Sequence, residues 1–349
     1  MPQKRKSEPF IPIYRQLASR YVDSILSLEL KPGDRIHSIS EIQARHKVSR
    51  ETAKFVLKIL AKEGYIVQRA GKGSYVADLG AKKKVWGIIL PFYTVLYDDL
   101  LHRLKRHSAA MNRELIGFLS HNTWQEEIRI VGRLLSERYE AIIVIPTLDE
   151  SKTASFYRRL SPKSSLVTLL DHSLSGSYFP YVIQSYDLGV QRGIRHLLGV
   201  TRRAVAFVRN EIWAGHNMLQ ELMIRTYNDI LEAERPEHPP LVIESLSSIT
   251  GAYLQKHAID GLFITDDADA IRIIGRLHAE GVRIPEDLRI ISYGNTELAQ
   301  YFSPGITSID SHAEEMAARA IEIIRKGLDQ KDIRYCQYVI KPDLIVRET

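Results

Sequence analysis

From Val85 to the end of the chain, short apolar, β-branched runs alternate with amphipathic helical stretches, and few patterns restrict a fold more. VWGIIL is followed by helical spacing near 98–112 and LIGFL by a helix near 125–138, with AIIVIP and SLVTLLD completing a first half. AVAFV, a long helix near 217–233, LVIES, GLFIT, a helix near 267–280 and LRIISYG form a second half of the same kind. Neighbouring parallel strands need a crossover longer than a turn, so alternation of this sort closes as parallel sheets covered by helices. The expected architecture from Val85 onward is α/β with two lobes. Its ligand site should lie where the carboxyl ends of the strands face each other across a cleft.

The first 84 residues read differently. They hold 18 Lys and Arg against 8 Asp and Glu, whereas the remainder holds 30 against 34, so the basic excess sits at one end. Helical spacing of Ile13, Leu17, Tyr21 and Ile25 predicts a first helix, stopped by Pro32 and Gly33. Ser38 and Glu41 have the spacing of a capping box and open a short second helix ending near Lys47. Ser49 caps a third helix whose apolar face is Ala53, Val56, Leu57 and Leu60. Only a tight turn fits between helices two and three, which is the spacing of a helix-turn-helix. Beyond Gly64, YIVQR and SYVAD flank AGKG as a β-hairpin, with Gly71 and Gly73 free to adopt positive φ.

Arg50, Thr52 and Lys54 occupy the outward face at the start of the third helix, where a recognition helix presents donors to base edges and phosphates. Lys72, beside Gly71, puts an ammonium group at the tip of the hairpin. A solvated charged surface is the plainer reading of these cations. Spacing, hairpin and local charge together favour contact with double-stranded DNA.

The stretch from Ile11 to Val76, with its PGDR turn, VSRxT helix start and GKGxxV hairpin, resembles the winged helix-turn-helix of the GntR family of bacterial transcription regulators. The resemblance implies DNA contacts at Ser49, Arg50, Thr52, Lys54, Gly71 and Lys72. It also marks a departure, because Ser40 stands where the family usually carries an arginine. From Val85 to Arg347 the chain resembles the sensor of the LacI/GalR regulators, related to periplasmic binding proteins, through YVIQSYDLGVQRGIRHLL, GLFITDDADAIRIIGRLHAEGVRIPEDLRIISYGNTELA and SPGITSID. The joint architecture is that of the arabinose-repressor type: residues 1–77 a winged helix-turn-helix, 78–84 a linker and 85–349 a two-lobed, periplasmic-binding-protein-like domain with parallel sheets.

The same resemblance implies ligand contacts at Phe92, Tyr93, Asp171, Trp213, Asp266 and Asn295. The family's sugar-gripping arginine aligns with Met223, which leaves Arg225 as a candidate replacement. Its usual Asp after the IISYG-like strand is Gly294 here. Asp171 and Asp266 could instead cap helices, and Tyr93 and Trp213 could be core or dimer-interface aromatics.

Other chemistry finds no support in the residues. The 12 histidines form no HExxH pair, GKGS at 71–74 lacks the spacing of a phosphate-binding loop, and no nucleophile is placed beside a base. The single Cys336 has no internal disulfide partner, and MPQKRKSEPF is followed by no apolar run of the kind a signal peptide carries. The expectation is a cytoplasmic, homodimeric, non-enzymatic regulator with no cofactor, metal or membrane association. Its partners would be a DNA operator and a small neutral sugar. Activation in place of repression, or a non-sugar effector such as a nucleoside, stays open at this point.

Overall fold

The computed structural model describes residues 12–26, 29–78, 83–157, 160, 166–176, 178–210 and 217–349. Its first unit holds α1 (Ile13–Leu26), α2 (Ile39–His46) and α3 (Arg50–Lys62), then the hairpin β1 (Ile66–Arg69) and β2 (Gly73–Val76). The expected capping box is present: Ser38 Oγ accepts from Glu41 N, and the Glu41 carboxylate accepts from Ser38 N at 2.6 Å. Ala53, Val56, Leu57 and Leu60 are all buried, each large side chain contributing about 1.5–3 kcal/mol. Leu17, Tyr21 and Ile25 join them, while Ile13, on the first turn of α1, is exposed.

The first sheet of the second unit begins with β3 (Lys83–Leu90), which takes in two residues of the expected linker. Residues 79–82 of that linker lie outside the described residues. There follow α4 (Val95–Ala110), β4 (Glu114–Leu119), α5 (Trp124–Ser136), β5 (Tyr139–Val144), α6 (Glu150–Tyr157), β6 (Val167–Asp171) and β7 (Tyr181–Gln184). The chain then crosses into a second sheet through α7 (Tyr186–Val200), β8 (Ala204–Val208), α8 (Met218–Glu234), β9 (Leu241–Ile243) and α9 (Gly251–Lys256). It continues with β10 (Ile259–Ile264), α10 (Asp267–Ala279), β11 (Arg289–Gly294), α11 (Glu297–Tyr301) and β12 (Thr307–Asp310). Two further crossings place α12 (Ala313–Leu328) and β13 (Gln337–Ile340) with the first sheet and β14 (Asp343–Ile345) with the second.

The strand orders are β13-β7-β6-β5-β3-β4 and β14-β12-β11-β10-β8-β9, parallel except for β14. The three returns of the chain make the lobes interdependent. They also leave the carboxyl ends of β3, β5 and β6 in one lobe and of β8, β10 and β11 in the other to form the cleft.

Candidate nucleic-acid interface and ligand cleft

Three residues, Lys47 to Ser49, turn α2 into α3, with Lys47 left-handed at φ 51°. Ser49 Oγ accepts from Thr52 N at 3.1 Å and lies 2.9 Å from Thr52 Oγ1, so both hydroxyls brace the helix start and mark the anion-favouring end of its dipole. Arg50, the first residue of α3, is exposed and makes no hydrogen bond or ion pair among the described residues. Lys54 lies 4.0 Å from Glu51, both largely solvated, and such a pair holds its cation weakly. In the hairpin Gly71 and Gly73 adopt φ of 70° and 102°, as expected, and Lys72 projects from the tip between them. The structure therefore brings Arg50, Thr52 and Lys54 onto one helix end and Gly71 and Lys72 onto the adjoining wing.

Asp171, at the end of β6, is the hub of a buried hydrogen-bond network between the lobes. Its carboxylate is 1% exposed and accepts from Tyr186 Oη at 2.7 Å, Gln184 Nε2 at 2.7 Å and Tyr97 Oη at 3.0 Å, with His172 Nδ1 at 3.3 Å. Burial opposes its charge, but His172, Tyr186 and Gln184 outweigh burial and hold its pKa below the usual carboxylate value. Gln184 Oε1 in turn accepts from Tyr293 Oη at 3.0 Å, and the Tyr293 ring stacks on Tyr186 at 5.5 Å. Asp171, expected as a ligand contact, has its oxygens taken up by protein donors here, and they brace the first crossing between the lobes.

Phe92 is likewise structural in part, packing against the cores of both lobes 5.6 Å from Tyr97, whereas Tyr93 beside it is 62% exposed. Asp266 is the helix cap that its alternative reading described. Its Oδ1 accepts from Ala268 N and Asp269 N at 2.8 and 3.2 Å, and burial raises its pKa despite those bonds. Asn295, at φ 51°, donates to Asp310 Oδ2 at 3.0 Å and accepts from Arg347 Nη2 at 2.6 Å. It lines a pocket of about 360 Å³ shared with Asp99 and Arg103 of α4 and His312 and Glu314 beyond β12. Trp213 lies outside the described residues.

Arg225 lies on a different face of α8 from the position it was expected to replace. Met223 is buried in the core of the second lobe and Arg225 is exposed; two residues span about 200° of helix, so the guanidinium points away from the face Met223 occupies. Gly294 has φ 129°, and a Cβ there would meet Asp267 Oδ2 at 3.1 Å. Asp267 is held by Thr296 N, Ser308 Oγ and Ser292 Oγ, so an acidic side chain at 294 would confront a fixed carboxylate.

Several contributors escape sequence reading. Glu127, fully buried on α5, accepts from Thr147 N at 2.6 Å and from Tyr157 Oη at 2.8 Å, and burial lifts its pKa to about 7. With Asn122 Oδ1 accepting from Leu148 N at 2.9 Å, two side chains fix consecutive amides of the loop after β5. Leu148 on that loop is buried in the core of the opposite lobe. Three buried polar atoms have no partner among the described residues and lie beyond β6 or at the start of α8: His172 Nε2, Asn217 Nδ2 and Gln220 Nε2.

Comparison with known proteins supplies the context. Residues 13–76 match the family of bacterial regulatory proteins, gntR family, and residues 194–349 match the periplasmic binding protein-like domain. An arabinose metabolism transcriptional repressor of Geobacillus stearothermophilus is 22% identical, with 98% of each chain covered. The periplasmic binding protein/LacI transcriptional regulator of Alkaliphilus metalliredigens QYMF, complexed with D-xylulofuranose, superimposes with a TM-score of 0.63 at 18% identity, covering 76% of this chain and 99% of that one. For the transcription regulator CcpA of Lactococcus lactis the TM-score is 0.62 at 20% identity, with 77% and 99% covered. These likenesses establish the two-lobed fold. No described helix is long and apolar enough to cross a membrane.

Proposed function

We propose that this chain, which joins a GntR-type winged helix-turn-helix to a periplasmic-binding-protein-like domain, represses carbohydrate-utilisation genes and leaves its operator when a small sugar binds. The observation that carries the DNA half is Arg50, an uncompensated cation at the start of a capped helix in helix-turn-helix geometry. The sensor half rests on buried hydrogen-bonding atoms without partners among the described residues, His172 Nε2 after β6 in one lobe and Asn217 Nδ2 and Gln220 Nε2 at the start of α8 in the other, which suit a hydroxyl-rich ligand. A full-length relative named for arabinose metabolism and a structural neighbour holding D-xylulofuranose agree in chemical class. Tyr93, 62% exposed, is the aromatic plate on this reading, and the free oxygen of Asp266 a hydroxyl acceptor. The protein works as a homodimer on a two-fold symmetric site, since one reader spans one half-site. It carries out no catalysis, needs no cofactor and acts in the cytoplasm, where the DNA is.

Arg50→Ala should weaken binding to the cognate operator by about 1–3 kcal/mol and relax base preference at one position, because alanine cannot form the bidentate pair with a base edge. Lys72→Ala should weaken cognate and random duplexes evenly. Fluorescence anisotropy on both duplexes reads the difference. Unchanged operator affinity in a folded Arg50→Ala protein would remove α3 from the major groove.

A further inference from the structure

The register of the wing assigns its two faces. Arg69 pairs with Gly73 and Val67 with Tyr75, while Arg35 bridges Tyr75 from the other side. Directly paired residues share a face and successive residues alternate, so Arg35, Val67, Arg69, Gly73 and Tyr75 stand together. Ile66, Ser74 and Val76 on the other face are buried, which makes the first face the outer one.

That outer face is basic and built. The Arg69 guanidinium lies over the Tyr75 ring, 5.0 Å from its centroid, and Tyr75 Oη donates to the Lys72 carbonyl at 2.9 Å, tying the stack to the wing tip. Arg35 lies across Gly73, its Nε 3.4 Å from where a Cβ would stand, so the glycine makes the space the arginine uses. Both arginines are exposed, and neither has an ion-pair or hydrogen-bond partner among the described residues. Glu41, an acid that senses Arg35, has its carboxylate committed to the Ser38 cap. Two guanidinium groups on one small sheet face, one of them fixed by stacking, repel each other until an anion lies between them or alongside.

We propose that the outer wing face, Arg35 and Arg69 on either side of Tyr75, is a phosphate-gripping surface that holds the DNA backbone beyond the wing tip. The proposal rests on the DNA-binding reading above and adds a contact separate from α3 and from Lys72. Planar guanidinium groups meet phosphate oxygens in bidentate fashion, so the grip is sequence-independent and salt-sensitive.

The test is the salt dependence of full-length protein binding to a random-sequence 30-base-pair duplex. Arg35→Gln/Arg69→Gln should flatten the plot of log affinity against log salt by roughly 0.9 for each phosphate no longer neutralised, or roughly 2 for each reader. Arg69→Lys, which keeps the charge, should hold the wild-type slope. Arg69→Gln alone, at an exposed site, should flatten the slope by roughly 0.9 per reader and carries the test if the double variant melts early. A folded variant with the wild-type slope overturns the wing-face assignment alone. Wild-type protein that binds no duplex overturns the DNA reading with it.

Discussion

Asp171→Ala is expected to destabilise the protein by about 3–5 kcal/mol, the range seen when one partner of a buried charged network is removed. The substitution takes the acceptor from the hydroxyls of Tyr97 and Tyr186 and leaves the Gln184 amide with Tyr186 Oη alone, inside a buried site. Backbone strain adds to the loss, since residue 171 sits at φ 72°, where alanine is disfavoured and asparagine tolerated. Asp171→Asn should therefore lose much less, retaining one acceptor and the left-handed turn. Urea unfolding of the three proteins gives the comparison. An alanine variant as stable as wild type that nevertheless loses sugar affinity would make Asp171 a ligand contact and not a brace between lobes.

The second large effect is a dependence of stability on pH. Glu127 has its pKa raised by burial from 4.5 to about 7. A raised carboxyl pKa means that the folded state binds the proton more tightly than the unfolded one. Its stabilisation is complete below pH 4.5 and is lost as pH climbs through 7. Over that window the loss should be about 3 kcal/mol, at roughly 1.4 kcal/mol for each pH unit. Glu127→Gln can keep an acceptor for Thr147 N and turn its amide toward Tyr157, and it should remove this slope. Asp266 and Asp267, whose pKa values are also raised by burial, titrate alike in both proteins and cancel in the difference. Unfolding midpoints at about pH 5 and about pH 7.5, on either side of the raised value, decide the matter; parallel profiles for wild type and variant would show Glu127 ionised throughout.

What was legible in the sequence divides along a physical line. The reader is local: capping box, helix-turn-helix spacing and wing glycines each act over a few residues, and all were legible. The alternation of strands and helices likewise announced two parallel sheets. The cleft is non-local. Asp171 meets Tyr97, Gln184 and Tyr186 only because β6, α4, β7 and α7 converge there, and no spacing along the chain encodes that meeting. Glu127, one of the acidic residues on the first turn of α5, has nothing in its local sequence to set it apart from solvated helix charge, and only the loop after β5 closes over it. Arg225 is a different case, since helical geometry alone puts it on the face opposite Met223.

The central claim is that occupancy of the cleft and occupancy of the operator oppose each other. The most direct measurement is operator affinity with and without a saturating neutral sugar, across a panel of pentoses and hexoses that includes arabinose. The probe is a duplex selected from random sequence by the protein itself. The account predicts that one sugar weakens operator binding roughly 5- to 150-fold, about 1–3 kcal/mol of coupling, and by linkage that operator weakens that sugar's binding by the same factor. A sugar that binds tightly and leaves operator affinity unchanged, or raises it, would contradict the account.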